Sequence, residues 1–167
     1  MKKLMLLSIL LIVGCKDENP ELENFNGITE IDIEGNIISE DSNDWCGGGY
    51  MRYNTDCPTE IEIVESSSGT TLIPTEYFLS PAYPNPFDSL TTIYYGLPEF
   101  SDVTFKVIDS AGKTVRNLGK ANQTAGYYCI SWDGRNDDGE IVDSNLYRVL
   151  IYANHYNCSG DLQFSPN

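Results

Sequence analysis

The chain is 167 residues long and carries 25 acidic against 10 basic side chains, for a formal net charge of −15. This charge argues against a nucleic-acid partner, because an acidic chain is repelled by the phosphates that supply most non-specific affinity. A single histidine leaves little scope for a histidine-rich metal site or a Ser-His-Asp triad. The hydrophobic fraction of 41% and the length fit one packed domain plus a tail.

Residues 1–14 have the pattern of a signal peptide. Lys2 and Lys3 precede an apolar run of about ten residues, which is too short to span a bilayer. The run ends in the sequence IVGC at residues 12–15, which resembles the lipobox of bacterial lipoproteins. This resemblance implies cleavage before Cys15 and acylation of that cysteine, and several acyl chains give durable membrane anchoring. The alternative is an ordinary secretory signal followed by a chance cysteine.

Residues 15–27 are predicted to form an acidic tether. The stretch KDENPELENFN after Cys15 is polar and acidic, which suits a solvated spacer between lipid and fold. Its first three residues, Lys16-Asp17-Glu18, resemble the export signal that takes Bacteroidota lipoproteins to the outer face of the outer membrane. The prediction is therefore a lipid-anchored cell-envelope protein, placed in the outer membrane and exposed on the cell surface. A plain acidic spacer is the alternative.

Residues 28–76 predict a small, partly irregular region with a β-hairpin. The stretch ITEIDIEGNII at 28–38 alternates apolar and polar residues and turns at Gly35-Asn36, and TEIEIVE at 59–65 alternates likewise. The glycine-rich stretch between Cys46 and Cys57 lacks the Gly-Lys-Ser/Thr of a phosphate-binding loop. Removal of the signal takes Lys2 and Lys3 with it and leaves a net charge of −17 on the rest of the chain. Most of this negative charge lies before residue 80, so the region is strongly acidic.

Residues 77–167 are predicted to be all-β. Short β-type runs alternate with turn signals, which is typical of an antiparallel β-sandwich of about seven strands. The predicted strands are Thr91–Leu97, Val103–Asp109, Lys113–Leu118, Gly126–Trp132, Leu146–Tyr152 and Gly160–Phe164.

Alternation within these strands predicts the core. One face of each strand should be buried, while the opposite residues Cys129 and Ser131 should face outward. The predicted core residues are Ile93, Phe105, Val107, Tyr128, Ile130, Trp132, Tyr147, Val149 and Ile151.

The same stretch carries a spaced set of turn and aromatic residues. The set comprises Tyr83, Pro84, Asn85, Pro86, Phe87, Asp109, Gly112, Lys113, Gly126, Trp132, Asp133, Gly134, Gly139 and Tyr147. In this order it resembles the Ig-like domain named after the flagellar hook-capping protein FlgD, over about residues 77–164. The resemblance implies an Ig-like β-sandwich in which these residues are structural. Pro84 and Pro86 have no backbone N–H to donate to a neighbouring strand, so they should lie at an edge of the first strand or at its entry.

The pattern is also similar to the C-terminal sorting domain of type IX secretion. That resemblance implies a targeting role read by the secretion machinery. Two features depart from it: no Lys or Arg follows Arg148, and only about 60 residues separate Cys15 from the domain. The Ig-like domain as the main folded body is therefore preferred.

Four cysteines remain once Cys15 carries lipid, an even number suited to disulfides in an oxidising compartment. The preferred pairing is local, Cys46 with Cys57 and Cys129 with Cys158, although three connectivities are possible. A zinc site is the alternative, but no C-x-x-C pair is present.

Other candidate sites have structural explanations that are preferred. The acidic turn at Asp133–Asp143 could attract Ca²⁺ but also suits a turn. His155 is expected to be a solvated loop residue. The tyrosine pairs 94–95 and 127–128 could expose a sugar- or protein-binding face, or pack across strands.

No nucleophile has a base at a recognisable spacing, so we predict a non-enzymatic protein without cofactor. Its predicted role is a structural or interaction module held at the membrane by its N-terminal lipid. Envelope proteins, glycans or secretion machinery are the candidate partners. A small hydrolase or sugar binder built around Cys46 and Cys57 is a weaker alternative.

Overall fold

The computed structural model describes residues 28–31, 37–39, 45–46, 62–63 and 73–167. Every regular element within these residues is a β-strand. The strands are β1 (Glu30–Ile31), β2 (Ile37–Ser39), β3 (Glu62–Ile63), β4 (Phe78–Leu79), β5 (Thr91–Leu97), β6 (Ser101–Ile108), β7 (Thr114–Gln123), β8 (Gly126–Trp132), β9 (Asn145–Ala153) and β10 (Tyr156–Phe164). The predicted signal peptide and tether lie outside the described residues.

Eight of these strands form two four-stranded antiparallel sheets. The first sheet has the order β10-β9-β6-β7 and the second has the order β3-β8-β5-β4, while β1 pairs with β2. The chain passes between the two sheets at the β5–β6, β7–β8 and β8–β9 connections. The prediction of an all-β, Ig-like antiparallel sandwich is therefore confirmed.

The predicted strand bounds agree best with the structure where the strand sequence is apolar. Strands β5 and β8 have the predicted bounds, whereas β7 extends to Gln123 and β10 begins at Tyr156. The added parts of β7 and β10 are mostly polar, so alternation did not mark them. Both strands lie at sheet edges, where backbone pairing with one neighbour is enough to define a strand.

The core lies between the sheets and contains every residue predicted for it. The buried cluster includes Ile93, Phe105, Val107, Tyr128, Ile130, Trp132, Tyr147, Val149 and Ile151. Cys129 and Ser131 alternate with the core residues of β8, as predicted for outward-facing positions, yet each is only 2% exposed because this face is also covered. Cys129 is covered because it is disulfide-bonded, and the Ser131 hydroxyl lies 2.9 Å from that of Thr92 on β5.

One side of the sandwich, between β4 and β10, is bridged by the segment at residues 83–87. Tyr83 pairs with Thr92 of the second sheet, whereas Phe87 pairs with Phe164 of the first. The Phe87 N–H donates to Gln163 O at 3.0 Å. The segment thus pairs with one sheet through Tyr83 and with the other through Phe87. Pro84 and Pro86 between them have no N–H to donate to a neighbouring strand, which is tolerated at a sheet edge.

Asn85 holds this segment in place from its centre. Its fully buried side chain donates to Thr29 O at 3.0 Å and to Asp161 O at 2.9 Å, and accepts from the Gln163 N–H at 2.9 Å. Its backbone oxygen accepts from the Ile31 N–H at 3.0 Å. The carboxamide satisfies polar groups at residue 29 and on β10 at once, so its burial carries no unpaired-polar penalty.

The predicted turns are formed by the residues that suggested them. Asp109 Oδ1 accepts from the N–H groups of Ala111 and Lys113, both at 2.9 Å, and Gly112 has a positive φ of 77°. Gly139 likewise has a φ of 82° in the turn after Asp137. These are backbone positions that non-glycine residues rarely adopt.

Candidate functional site

The aromatic residues of the family pattern meet around Trp132. Its ring centroid lies 5.5 Å from that of Phe87, 5.1 Å from that of Tyr147 and 6.0 Å from that of Phe164. A Cβ on Gly134 would come within 2.4 Å of the Phe164 ring, so only glycine fits beside it. The pattern is explained as a packed aromatic cluster rather than a reaction site.

Two buried tyrosines tie loops to strands in the manner of a tyrosine corner. Tyr147 donates to Asp143 O and Tyr128 donates to Thr124 O, each at 2.8 Å and each four residues back along the chain. Burial raises the pKa of the Tyr147 hydroxyl above its usual value. The Tyr147 hydroxyl therefore remains a protonated donor at neutral pH, which suits a structural role.

The acidic turn uses its polar side chains internally. Asn136 Oδ1 accepts from the N–H groups of Asp138 and Glu140 at 3.0 and 2.9 Å. Asp137 accepts from the N–H and the carboxamide of Asn117 at 2.8 and 2.6 Å. Among the residues that the structure describes, no three His, Cys, Asp or Glu side chains are grouped as metal ligands would be. The turn covers part of the β7 edge instead, a place where unpaired strands otherwise invite aggregation.

The disulfide pairing differs from the preferred prediction. Cys46 is bonded to Cys158, across a sequence separation of 112, so neither the Cys46–Cys57 nor the Cys129–Cys158 pairing is correct. Cys129 is also disulfide-bonded, while Cys15 and Cys57 lie outside the described residues. The local pairing failed because spacing along the chain does not report which strands are neighbours.

Trp45 and Cys46 form a clasp across the same side of the sandwich as the 83–87 segment. The Trp45 N–H donates to Ser159 O at 2.9 Å, and Cys46 O accepts from the Leu79 N–H at 3.3 Å. The Trp45 ring lies over Gly160, where a Cβ would come within 2.3 Å of the indole. We call residues 45–46 the Trp-Cys clasp; it links β10 of the first sheet to β4 of the second.

Replacement of Gly160 with Ala is expected to displace the indole of the clasp. The added methyl has no room, and overfilling a packed site costs about 1–3 kcal/mol of unfolding free energy. Urea unfolding and tryptophan fluorescence would measure the loss and the altered environment of Trp45. Ser159→Ala is the matched control, because that neighbouring side chain points to the opposite face. Equal stability of the two variants would contradict the close contact.

A buried ion pair lies on the outward face of the first sheet. Arg148 Nε donates to Asp161 Oδ1 at 2.6 Å and Arg148 Nη2 donates to Asp161 Oδ2 at 2.9 Å, with the side chains only 5% and 2% exposed. The two residues are register partners on β9 and β10. Sequence reasoning missed the pair, because alternation identifies the outward face of a strand but not whether that face is covered.

The tyrosine pairs do not form an open face. Tyr94 is 9% exposed, and the Tyr127 ring lies 5.8 Å from the ring of Phe78 on the outer side of the second sheet. Tyr95 and Tyr128 are in the core. Packing across strands, the preferred alternative, accounts for both pairs.

A different aromatic group lies at the end of the sandwich where β5, β9 and the start of β10 meet. The Tyr77 ring is stacked on Tyr156 at 5.1 Å and meets His155 edge-on at 5.4 Å. Phe100, in the β5–β6 connection, is 64% exposed. We call Tyr77, Phe100, His155 and Tyr156 the aromatic end. Sequence reasoning treated His155 as a solvated loop residue and did not place these side chains together.

Hydrogen bonds fix the loops of the aromatic end. Asn154, which has a φ of 55°, donates from its carboxamide to Phe100 O at 3.0 Å and accepts from the Asp102 N–H at 3.1 Å. The Tyr77 hydroxyl donates to Glu99 Oε1 at 2.8 Å. Because Asn154 bonds to Phe100 of the β5–β6 connection through its donor and to Asp102 of β6 through its acceptor, the surface is preorganised.

The fold and these contacts define an Ig-like β-sandwich whose polar groups serve mainly to hold its loops and edges. Residues 87–156 match the sequence profile of the FlgD Ig-like domain, which supports the resemblance seen in the sequence. That family is a non-catalytic structural domain, so the chain carries a structural or interaction module. No curated protein sequence matches the chain.

Within the described residues, no helix has the length and apolar character that a membrane crossing requires.

Proposed function

We propose that the chain is a non-enzymatic, lipid-anchored cell-envelope protein that displays its Ig-like sandwich as an interaction module. The module part of the proposal is supported by the match of residues 87–156 to the FlgD Ig-like domain. The anchor part is supported by the sequence IVGC at residues 12–15 after a short apolar run. Surface exposure on the outer membrane is supported by the Lys16-Asp17-Glu18 resemblance.

The polar side chains of the sandwich favour this role over catalysis. Asn85, Asp137 and the Arg148–Asp161 pair bond to backbone groups or to each other and so stabilise edges and loops. A catalytic site instead needs a nucleophile, an acid or a base directed at a shared space.

Replacement of Cys15 with Ser is expected to release the protein from the membrane fraction. The variant loses the thiol that would carry diacylglycerol. The uncleaved apolar run that remains anchors the variant more weakly than several acyl chains would anchor the unmodified protein. Cell fractionation and metabolic labelling with palmitate would measure anchoring. Gly14→Ala keeps a small residue before the cysteine and is expected to remain labelled and membrane-bound. Membrane retention of Cys15→Ser, with no label on the unmodified chain, would refute lipidation.

A type IX sorting signal is the alternative function, supported only by sequence resemblance. Under that hypothesis residues 77–167 would be cut from the preceding segment during export. Cys46 precedes residue 77 and is bonded to Cys158, so such a cut would leave the two pieces covalently linked without reductant. Fusion of residues 77–167 behind a reporter in a type IX host distinguishes the two roles. Extracellular reporter with the domain removed would favour sorting.

A further inference from the structure

Cys129 is disulfide-bonded, and only two cysteines of the chain can supply its partner. Cys46 and Cys158 are bonded to each other, so neither is available. The chain has five cysteines, which leaves Cys15 and Cys57. Cys129 is only 2% exposed and lies on the outward side of β8 in the second sheet. The sulfur that bonds to it must therefore reach that face.

The described residues on either side of Cys57 in the sequence lie at opposite edges of the second sheet. Cys46 O accepts from the Leu79 N–H at 3.3 Å, which places Cys46 beside β4 at one edge. Glu62 of β3, at the other edge, is the register partner of Cys129. Register partners have Cα atoms about 4.5–5.5 Å apart, a separation that a disulfide also spans. The chain is thus next to Cys129 at a point only five residues after Cys57.

The shortest route between the two edges crosses the outward face of the second sheet. Phe78, Tyr94 and Cys129 lie on that face and are 6%, 9% and 2% exposed, so the face is covered. Three strand spacings of about 4.8 Å separate β4 from β3. The chain from residue 46 to residue 62 can extend over about 50 Å, so it has ample length for this crossing.

We infer that Cys57 is the partner of Cys129 and that the two form a second disulfide on the outward face of the second sheet. Cys15 is the less favourable partner, because it is 14 residues from Thr29, whose carbonyl accepts from Asn85 at 3.0 Å. The entropy cost of loop closure rises with length, which favours the five-residue connection from Glu62. The pairing goes beyond the proposed function and leaves Cys15 as the one cysteine able to carry lipid.

Formation of this bond oxidises two thiols by exchange with a protein disulfide, the class of oxidant that acts in oxidising compartments outside the cytoplasm. The thiolate of Cys57 or Cys129 attacks a sulfur of the oxidant and breaks its disulfide, which gives a mixed disulfide. The second thiolate then attacks the protein sulfur of the mixed disulfide and displaces the oxidant. The two electrons leave with the oxidant as its dithiol, and the two thiol protons are balanced on its sulfurs.

The two bridges together would link the two sheets covalently. Cys46 is attached to β10 of the first sheet through Cys158, and Cys57 would be attached to β8 of the second sheet through Cys129. The ten residues between Cys46 and Cys57 would close this link. Neither bridge alone connects the sheets in this way.

Peptide mapping of the full-length protein without reductant tests the pairing. Trypsin cleaves the chain between its cysteines, after Arg52, Lys106, Lys120, Arg135 and Arg148. After denaturation with free thiols blocked, mass spectrometry is expected to find peptide 53–106 joined to 121–135, and 17–52 joined to 149–167. Reduction is expected to separate both pairs. Peptide 121–135 joined to any peptide other than 53–106, or carrying a blocked Cys129 thiol, would overturn the inference.

Two single substitutions distinguish the candidate partners. Cys57→Ala is expected to make Cys129 available to alkylation in denaturant, whereas Cys15→Ser is expected to leave Cys129 protected. The opposite result, or a protected Cys129 in both variants, would contradict the pairing. The map of the unmodified protein decides the question even if Cys57→Ala fails to fold. Failure of lipidation is recognised separately, because Cys15 itself would then be alkylated while peptides 53–106 and 121–135 stay joined.

Discussion

Replacement of Arg148 with Ala is expected to lower the free energy of unfolding by about 3–5 kcal/mol, the usual cost of removing one partner from a buried ion pair. The guanidinium forms two hydrogen bonds with the Asp161 carboxylate, and neither side chain is more than 5% exposed. The variant leaves that carboxylate in a water-poor site without its cation. Urea or guanidinium unfolding, followed by circular dichroism, would measure the loss.

Two control variants separate this effect from ordinary surface electrostatics. Lys120 and Asp102 form an ion pair at 3.4 Å whose side chains are 69% and 54% exposed. Lys120→Ala is therefore expected to change stability by about 1 kcal/mol or less. The double variant Arg148→Met, Asp161→Leu is expected to recover much of the lost stability, because no buried charge remains. A single Arg148→Ala variant as stable as Lys120→Ala would contradict the burial of the pair.

Removal of the Cys46–Cys158 bridge by the double substitution to alanine is expected to cost about 2–4 kcal/mol. The bridge closes a sequence separation of 112, and such a long loop restricts the unfolded chain strongly. The Trp-Cys clasp also loses its covalent attachment to β10. The denaturant midpoint, with thiol alkylation under denaturing conditions, would measure the effect and confirm the remaining bridge.

The matched control for the bridge is Ser159→Ala, which alters the same strand without touching a sulfur. It is expected to keep the midpoint of the unmodified protein. If the double cysteine variant unfolded at that midpoint as well, the bridge would not contribute to stability. Alkylation of Cys46 in the unmodified protein would show that the bridge does not form.

The sandwich could be predicted from sequence because period-two alternation is a local property. Tyr128, Ile130 and Trp132 lie two residues apart and share a buried face, as their pattern indicated. Alternation also assigned Cys129 and Ser131 to the opposite face but did not indicate that they are buried, because it distinguishes faces and does not say what covers them. Burial of the second face depends on contacts between distant segments.

The pairings between distant segments were beyond a single sequence. Asn85 is a residue type that is common in turns, yet its carboxamide forms hydrogen bonds with residues 29, 161 and 163. The aromatic end likewise assembles Tyr77, Phe100 and His155 from three separate connections. The one local signal was Asn154, a residue that tolerates positive φ, at a tight β9–β10 connection. That signal marks the turn but not the rings that surround it.

The Cys46–Cys158 bridge also governs how the chain would carry tension. Under the proposed anchoring, a pull between the lipid at residue 15 and the C-terminus would run along the backbone to Cys46, cross the disulfide, and leave through residues 158–167. The intervening residues 47–157 lie off this path. At about 3.4 Å per residue, the fully extended path from residue 15 to residue 167 would measure roughly 500 Å without any bridge and about 140 Å with this one. Residues 47–157 would therefore be shielded from the pull, whereas β10 and the segment that precedes Cys46 would bear it.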